Sequence, residues 1–315
     1  MDKTFLWNSG VYEKLKKIPY TKPWIGFIHH TPNPEYTENS LDNIINSNNF
    51  KLSLKKCKGL IVLSNYLRQY LEKNLKTKIP IYNLTHPTET PEIRFTWNKF
   101  IQNSHKKVIQ IGGWLRNSYA IYELAVNSKK LNISKYLLQG NKMENYIKPD
   151  NLNHNDIFTV RTGKYEQKNN KSNKFDLEER MCNVTSNKYI QGLVSHINKQ
   201  YNSVTVISHL NNDEYDELLS ENIVFINLIN ASACNTLIEC VVRNTPIIIN
   251  RIEAVEEVLG KKYPLFYDSI AEANELVVNI DKIKEGYEYL IKLDKKSLHI
   301  DTFIQEFTDI INKII

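Results

Sequence analysis

Glu239 is the one charged residue in the run Leu237-Ile238-Glu239-Cys240-Val241-Val242, which follows a turn of small residues, Asn230-Ala231-Ser232-Ala233-Cys234. The pattern predicts a buried strand over 223–228, a helix from 235 to about 243 and a second strand over 246–249. A small-residue turn lets a ligand approach the backbone closely. The helix behind it aims free N–H groups and the positive end of its dipole at an anion. Open α/β sheets take ligands at the carboxyl ends of their strands, where this turn falls. The chemistry suited to such a place is nucleotide or phosphate binding, with Glu239 set to hold a ribose hydroxyl pair. The alternative is an ordinary carboxylate on a polar helix face, but the neighbours leave little polar face before Arg243.

Other candidates sit at strand ends. Gly112-Gly113-Trp114-Leu115-Arg116 follows an expected strand over 106–111 and precedes an expected helix over 119–128. Paired glycines there permit positive φ and close backbone approach, and Arg116 suits a bidentate contact with phosphate oxygens. His29 and His30 end an expected strand over 24–29, placed for a base or a hydrogen-bond donor. Alternation along a strand points neighbours to opposite faces, so only one of the pair is expected in a cleft, with His30 favoured. The alternative is a histidine satisfied by backbone groups in a Pro-rich turn. His86, before Pro87, occupies a similar place. No C-x-x-C, H-E-x-x-H, acidic calcium loop or DxD pattern occurs, so no metal site is expected. P-loop, GxSxG and full GxGxxG patterns are missing as well, against NTPase, hydrolase and dehydrogenase chemistry.

Strand and helix signals alternate in the way of an α/β protein with parallel sheets. Expected strands over 59–63 and 79–84 flank a helix over 65–75 capped by Ser64, and a short helix over 50–56 precedes them. Residues 89–105 form a crossover without clear period. Beyond it come strands over 136–139 and 204–209, helices over 188–200 and 213–220, and a helical tail over 270–315. Between 141 and 187 the periodicity dissolves into Asn, Lys and charged residues, which reads as a surface insertion. The expected domains are 1–103, a short Rossmann-like unit, and 104–315, a complete one carrying the insertion and the tail.

These segments, in this order, resemble the retaining nucleotide-sugar-dependent glycosyltransferases of the GT-B architecture. Asn235-Thr236-Leu237-Ile238-Glu239 and Thr245-Pro246-Ile247-Ile248-Ile249 are similar to that family's donor-site helix and following strand. WIGFIHHT is similar to the strand ending in its active-site His, and CKGLIVLSNYLRQYL and YNLTHPTETPEIRF are similar to its later N-terminal segments. The resemblance implies two Rossmann-like domains with the first truncated, since its first strands and Gly-rich loop have no counterpart. It implies metal-independent transfer of a sugar from a nucleotide-sugar donor, a substrate and not a cofactor, to a glycan, lipid or protein acceptor. Glu239 would bind the donor ribose, Arg116 with Gly112 and Gly113 its diphosphate, and Ser232, Asn235 and Thr236 would complete the donor site. His30 or His29 would act in catalysis. Ala231 stands eight positions before Glu239, where the family usually has a second Glu. Retention of configuration is implied by the family alone. A nucleotide-sugar epimerase, or a binding protein without turnover, stays open.

The 315 residues, 41% hydrophobic and 24% charged, suit a soluble globular chain. The net charge of +6 comes from lysines spread along the sequence, which fits a phosphate-bearing small molecule and does not require nucleic acid. Cys57, Cys182, Cys234 and Cys240 form no framework, which favours a reducing, cytoplasmic setting. No apolar run reaches a membrane span and no signal core opens the chain, so at most peripheral membrane contact is expected.

Overall fold

A computed structural model describes residues 19–32, 40–113, 115–117, 120–126, 131–138, 199, 203–207 and 210–314. The insertion expected over 141–187 lies outside them, as does the helix expected over 188–200 apart from residue 199.

Two parallel sheets organise the described chain. The first has the order β1 (Trp24–Ile28), β2 (Cys57–Val62), β3 (Ile81–Asn83). Between β1 and β2 lie α1 (Leu41–Asn46) and α2 (Asn48–Leu54), and between β2 and β3 lies α3 (Asn65–Asn74). Each helix starts where a serine occupies the cap. Ser40, Ser47 and Ser64 accept from the amides of Asn43, Phe50 and Leu67. Capping by Ser47 starts α2 earlier than the apolar spacing predicts.

The second sheet follows a short helix, α4 (Trp97–Gln102), inside the segment expected to be irregular. Its strands are β4 (Lys106–Ile111), β5 (Ile133–Leu138), β6 (Val204–Ile207), β7 (Ile223–Ile226), β8 (Ile247–Asn250) and β9 (Phe266–Tyr267). They pair in the order β6-β5-β4-β7-β8-β9, all parallel, which is the doubly wound arrangement. Helices α5 (Ala120–Glu123), α6 (Asn212–Ser220), α7 (Asn235–Arg243), α8 (Glu253–Leu259), α9 (Ile270–Val278), α10 (Ile280–Lys292) and α11 (Ile300–Ile314) complete the described elements. Asn211 and Glu214 form a reciprocal capping box that starts α6. Every residue of β7 is buried, as Ile247 to Ile249 are, because helices cover both faces of a parallel sheet.

Two segments cross between the halves. Phe95 and Phe100 are buried in the core of the second sheet, and the amides of Phe95 and Thr96 bond to the carbonyls of Arg243 and Ser220. In return, α11 packs against the first sheet. Strand alternation explains why a helix is needed there. Ile28, Leu60 and Val62 face α1 to α3, whereas Ile25, Phe27 and Ile61 face the other way and would be exposed without α11. Phe27 stacks on Phe307 at 5.8 Å. A Cβ on Gly59 would lie 2.7 Å from Ile314 Cδ1, so the glycine leaves room for the tip of the Ile314 side chain against β2. Among the described residues no helix is long and apolar enough to cross a membrane.

Candidate functional site

In the second sheet the strand order reverses between β4 and β7. The loops that leave their carboxyl ends belong to crossovers running in opposite directions, which opens a crevice between them. The Gly112–Arg116 loop and the 230–234 turn are these two loops. Strand β7 stops at Ile226, short of the expected 228, because Leu228 turns to form an antiparallel bridge with Arg116. The Ile229 amide bonds to the Leu115 carbonyl and the Asn117 amide to the Asn227 carbonyl, locking the loops together.

Arg116 is the positive charge of this crevice. Gly112 has φ +78°, and a Cβ there would lie 2.4 Å from Arg116 Nη1, so the glycine makes room for the guanidinium. Leu115 is also left-handed, at φ 53°, which holds the following residue in place. Arg116 Nη2 donates to Thr236 Oγ1 at 3.2 Å and to Cys234 Sγ at 3.3 Å. Neither partner is a carboxylate, and the guanidinium has no Asp or Glu partner among the described residues. Arg116 Nε is buried and without an acceptor. Beside it, Cys234, the N-cap of α7, makes no side-chain cap hydrogen bond, so the first N–H groups of Asn235 and Thr236 are left for a ligand.

These groups line a cavity of about 290 Å³ together with His29, Asn230, Ala231 and Ser232. The first half reaches this cavity through His29. Ser232 Oγ donates to the His29 carbonyl, which ties the turn to the end of β1. The expectation that the two histidines point apart is not met, since their rings stack at 5.2 Å. Alternation holds only within a strand, and β1 ends at Ile28. His29, not the favoured His30, lines the cavity.

Glu239 stands three residues beyond Thr236 on α7, roughly 5 Å along the axis, and is half-buried, outside the wall of that cavity. It accepts a hydrogen bond of 2.6 Å from Tyr215 on α6 through Oε2. Burial, reinforced by the Glu239 charge, pushes the Tyr215 hydroxyl far above its usual range, so it stays a donor. Oε1 has no partner among the described residues. The adjacent Arg243 pairs with Asp216 at 2.6 Å and leaves Glu239 unneutralised.

A larger cavity, about 460 Å³, lies behind the same turn and is lined by Asn83, His86, Ala231, Glu257 and Leu298 among others. It receives His86, whose Nδ1 lies 2.8 Å from the Pro87 carbonyl and therefore carries the proton. Glu257 on α8 accepts from the Asn65 amide at 2.7 Å and from the Tyr66 amide, the first N–H groups of α3. Tyr66 in turn accepts from Asn230 at 3.3 Å. Burial raises the Glu257 carboxyl above the usual range while the two amides pull it down. Sequence reasoning missed Tyr215, Glu257 and the Cys234–Arg116 contact, because each joins residues far apart in the chain.

No family model and no curated protein matches the sequence. Among solved structures, the chain is similar to sucrose-phosphate synthase from Thermosynechococcus elongatus, with TM-score 0.59 and 12% identity over 97% of this chain and 71% of that one. It is similar to Anabaena HepE in complex with UDP and glucose, with TM-score 0.60 and 9% identity over 92% of this chain and 72% of that one. It is also similar to the pneumococcal O-GlcNAc transferase GtfA in complex with UDP and GlcNAc, with TM-score 0.56 and 9% identity. There it covers 98% of this chain but 55% of the other. The crevice at the strand-order reversal and the second half facing the first thus belong to a known architecture: the chain has the GT-B fold of glycosyltransferases.

Proposed function

We propose that this protein is a glycosyltransferase that takes a sugar from a nucleotide-sugar donor bound in the second half. One observation carries the reading: Arg116, unpaired by any described carboxylate, faces the uncapped N-terminus of α7 at the base of a cavity between the halves. The likeness to structures described with UDP supports a nucleotide donor. The diphosphate lies against the Asn235 and Thr236 amides and the guanidinium. As the bond to the sugar breaks, negative charge builds on the leaving diphosphate. Dipoles and a cation already in position stabilise it without reorganising. Glu239 Oε1 accepts from a ribose hydroxyl one turn along the helix. The sugar then projects past Ala231 toward His29, and a glycan, lipid or protein acceptor enters from the first half.

Positive charge for the leaving group comes from the chain itself, so the proposed reaction needs no metal. Activity is expected to be unchanged by a chelator, and inhibition reversed by manganese would contradict this. His29 is the nearer histidine, so His29→Ala is expected to slow single turnover by roughly 10²–10⁴-fold if it moves a proton, with donor affinity nearly intact. His30→Ala should do less. Equal, small effects would remove histidine from the mechanism.

Ala231 favours a second reading. Its methyl group forms cavity wall where a carboxylate would contact the sugar, which suits a nucleotide-sugar-binding protein without turnover. A panel of nucleotide-sugars, followed for nucleoside diphosphate release with and without acceptors, separates the two. Release that depends on acceptor supports transfer, whereas tight binding with no release supports the second reading. The buried free thiols Cys57, Cys234 and Cys240 are in keeping with a cytoplasmic setting.

A further inference from the structure

Lysines that look spread in sequence are brought together by the first sheet. Between residues 47 and 80 there are seven lysines and Arg68 against one carboxylate, Glu72, so this stretch alone carries more positive charge than the +6 of the whole chain. Arg68 and Glu72 pair with each other at 3.5 Å, which leaves the lysines uncompensated. Lys55, Lys56 and Lys58 surround the start of β2, and Lys76 and Lys78 lead into β3. In a parallel sheet both starts lie at one edge. Helices α2 and α3 run back against the strands, so their last turns, with Lys51 and Lys73, end at that same edge. All seven lysines are exposed, and none has an ion-pair partner among the described residues. Leu52, 47% exposed, sits among them. His29 and the cavity lie at the opposite, carboxyl edge of the sheet.

We infer that this pole docks the protein on a bilayer surface rich in anionic lipid, leaving the cleft uncovered. The inference does not depend on the proposed reaction. Lysine point charges suit a diffuse anionic surface, each contributing about 1 kcal/mol near it, and an exposed aliphatic residue suits the headgroup boundary. Single-stranded nucleic acid is held by aromatic stacking platforms and arginine. No aromatic residue between 47 and 80 is exposed, and the one arginine is paired.

Co-sedimentation of the full chain with vesicles tests this. Binding is expected to phosphatidylserine mixed with phosphatidylcholine, to fall steeply with added salt, and to be missing on phosphatidylcholine alone. Replacing Lys51, Lys55, Lys56 and Lys58 by glutamine should weaken binding by several hundredfold, about fivefold per charge. Circular dichroism and the melting temperature check that this variant folds; if it does not, Lys76→Gln with Lys78→Gln is read in the same way. A control with Lys261, Lys262, Lys284 and Lys292 changed to glutamine removes equal charge elsewhere and should bind as the native chain does. The inference is overturned by no binding to the anionic vesicles, or by an equal loss in the control. Tighter binding to single-stranded RNA through the same lysines would also overturn it.

Discussion

Arg116→Ala is expected to weaken nucleoside diphosphate binding about a hundredfold while leaving nucleoside binding nearly unchanged. A hydrogen bond to a charged group is worth about 1.5–3 kcal/mol net, and two such bonds to phosphate oxygens reach or exceed a hundredfold in affinity. The selectivity follows from where the guanidinium sits. It is held by Thr236 and Cys234 at the start of α7, away from Glu239 and the base side. Gly112→Ala should mimic the loss, since the added methyl would collide with Nη1 in a left-handed turn. Calorimetry with matched nucleoside and nucleoside diphosphate decides it. Equal losses for both ligands would make Arg116 structural.

Glu239→Ala is expected to lower affinity for the nucleoside itself by roughly 10- to 150-fold, the value of one charged hydrogen bond. This is smaller than a bidentate ribose contact would give, because Tyr215 already occupies Oε2. Tyr215→Phe separates the roles. It removes the anchor while keeping the carboxylate, so a weaker loss is expected, and both variants should melt near the native temperature because the side chain is only half-buried. Unchanged affinity in Glu239→Ala would remove this residue from the donor site.

The parts of the fold legible in the sequence are those set by local pattern. Strand β4 was readable because an apolar alternation ends at paired glycines, and α7 because its apolar run starts after small residues and stops at Asn244, left-handed at φ 60°. The Arg116 loop and the 230–234 turn were readable as two loops, but their joining was not, since it needs the β4–β7 pairing. Alternation puts His29 and His30 on opposite faces, but β1 ends at Ile28, so the rule does not reach them and their rings stack. The short helix after Thr96 is hidden by the aperiodic, Pro91-containing sequence before it, although Thr96 caps it. Partners such as Tyr215 with Glu239, or Glu257 with α3, lie 24 to 192 positions apart and leave no local signal. The lysine pole is legible only once parallel pairing sets the strand starts side by side.

The central claim is that the crevice between the Gly112–Arg116 loop and the start of α7 binds the diphosphate of a nucleotide-sugar. Thermal unfolding of the native chain against UDP-, GDP-, ADP- and dTDP-sugars tests it most directly, since a ligand bound only by the folded state stabilises it by about 2.7 kcal/mol at a hundred times its Kd. One nucleotide class is expected to raise the melting temperature by about 5 °C, with its nucleoside diphosphate doing nearly as well, its nucleoside far less, and Arg116→Ala abolishing the difference. No shift with any nucleotide-sugar or diphosphate, or a shift that Arg116→Ala leaves intact, would contradict the account.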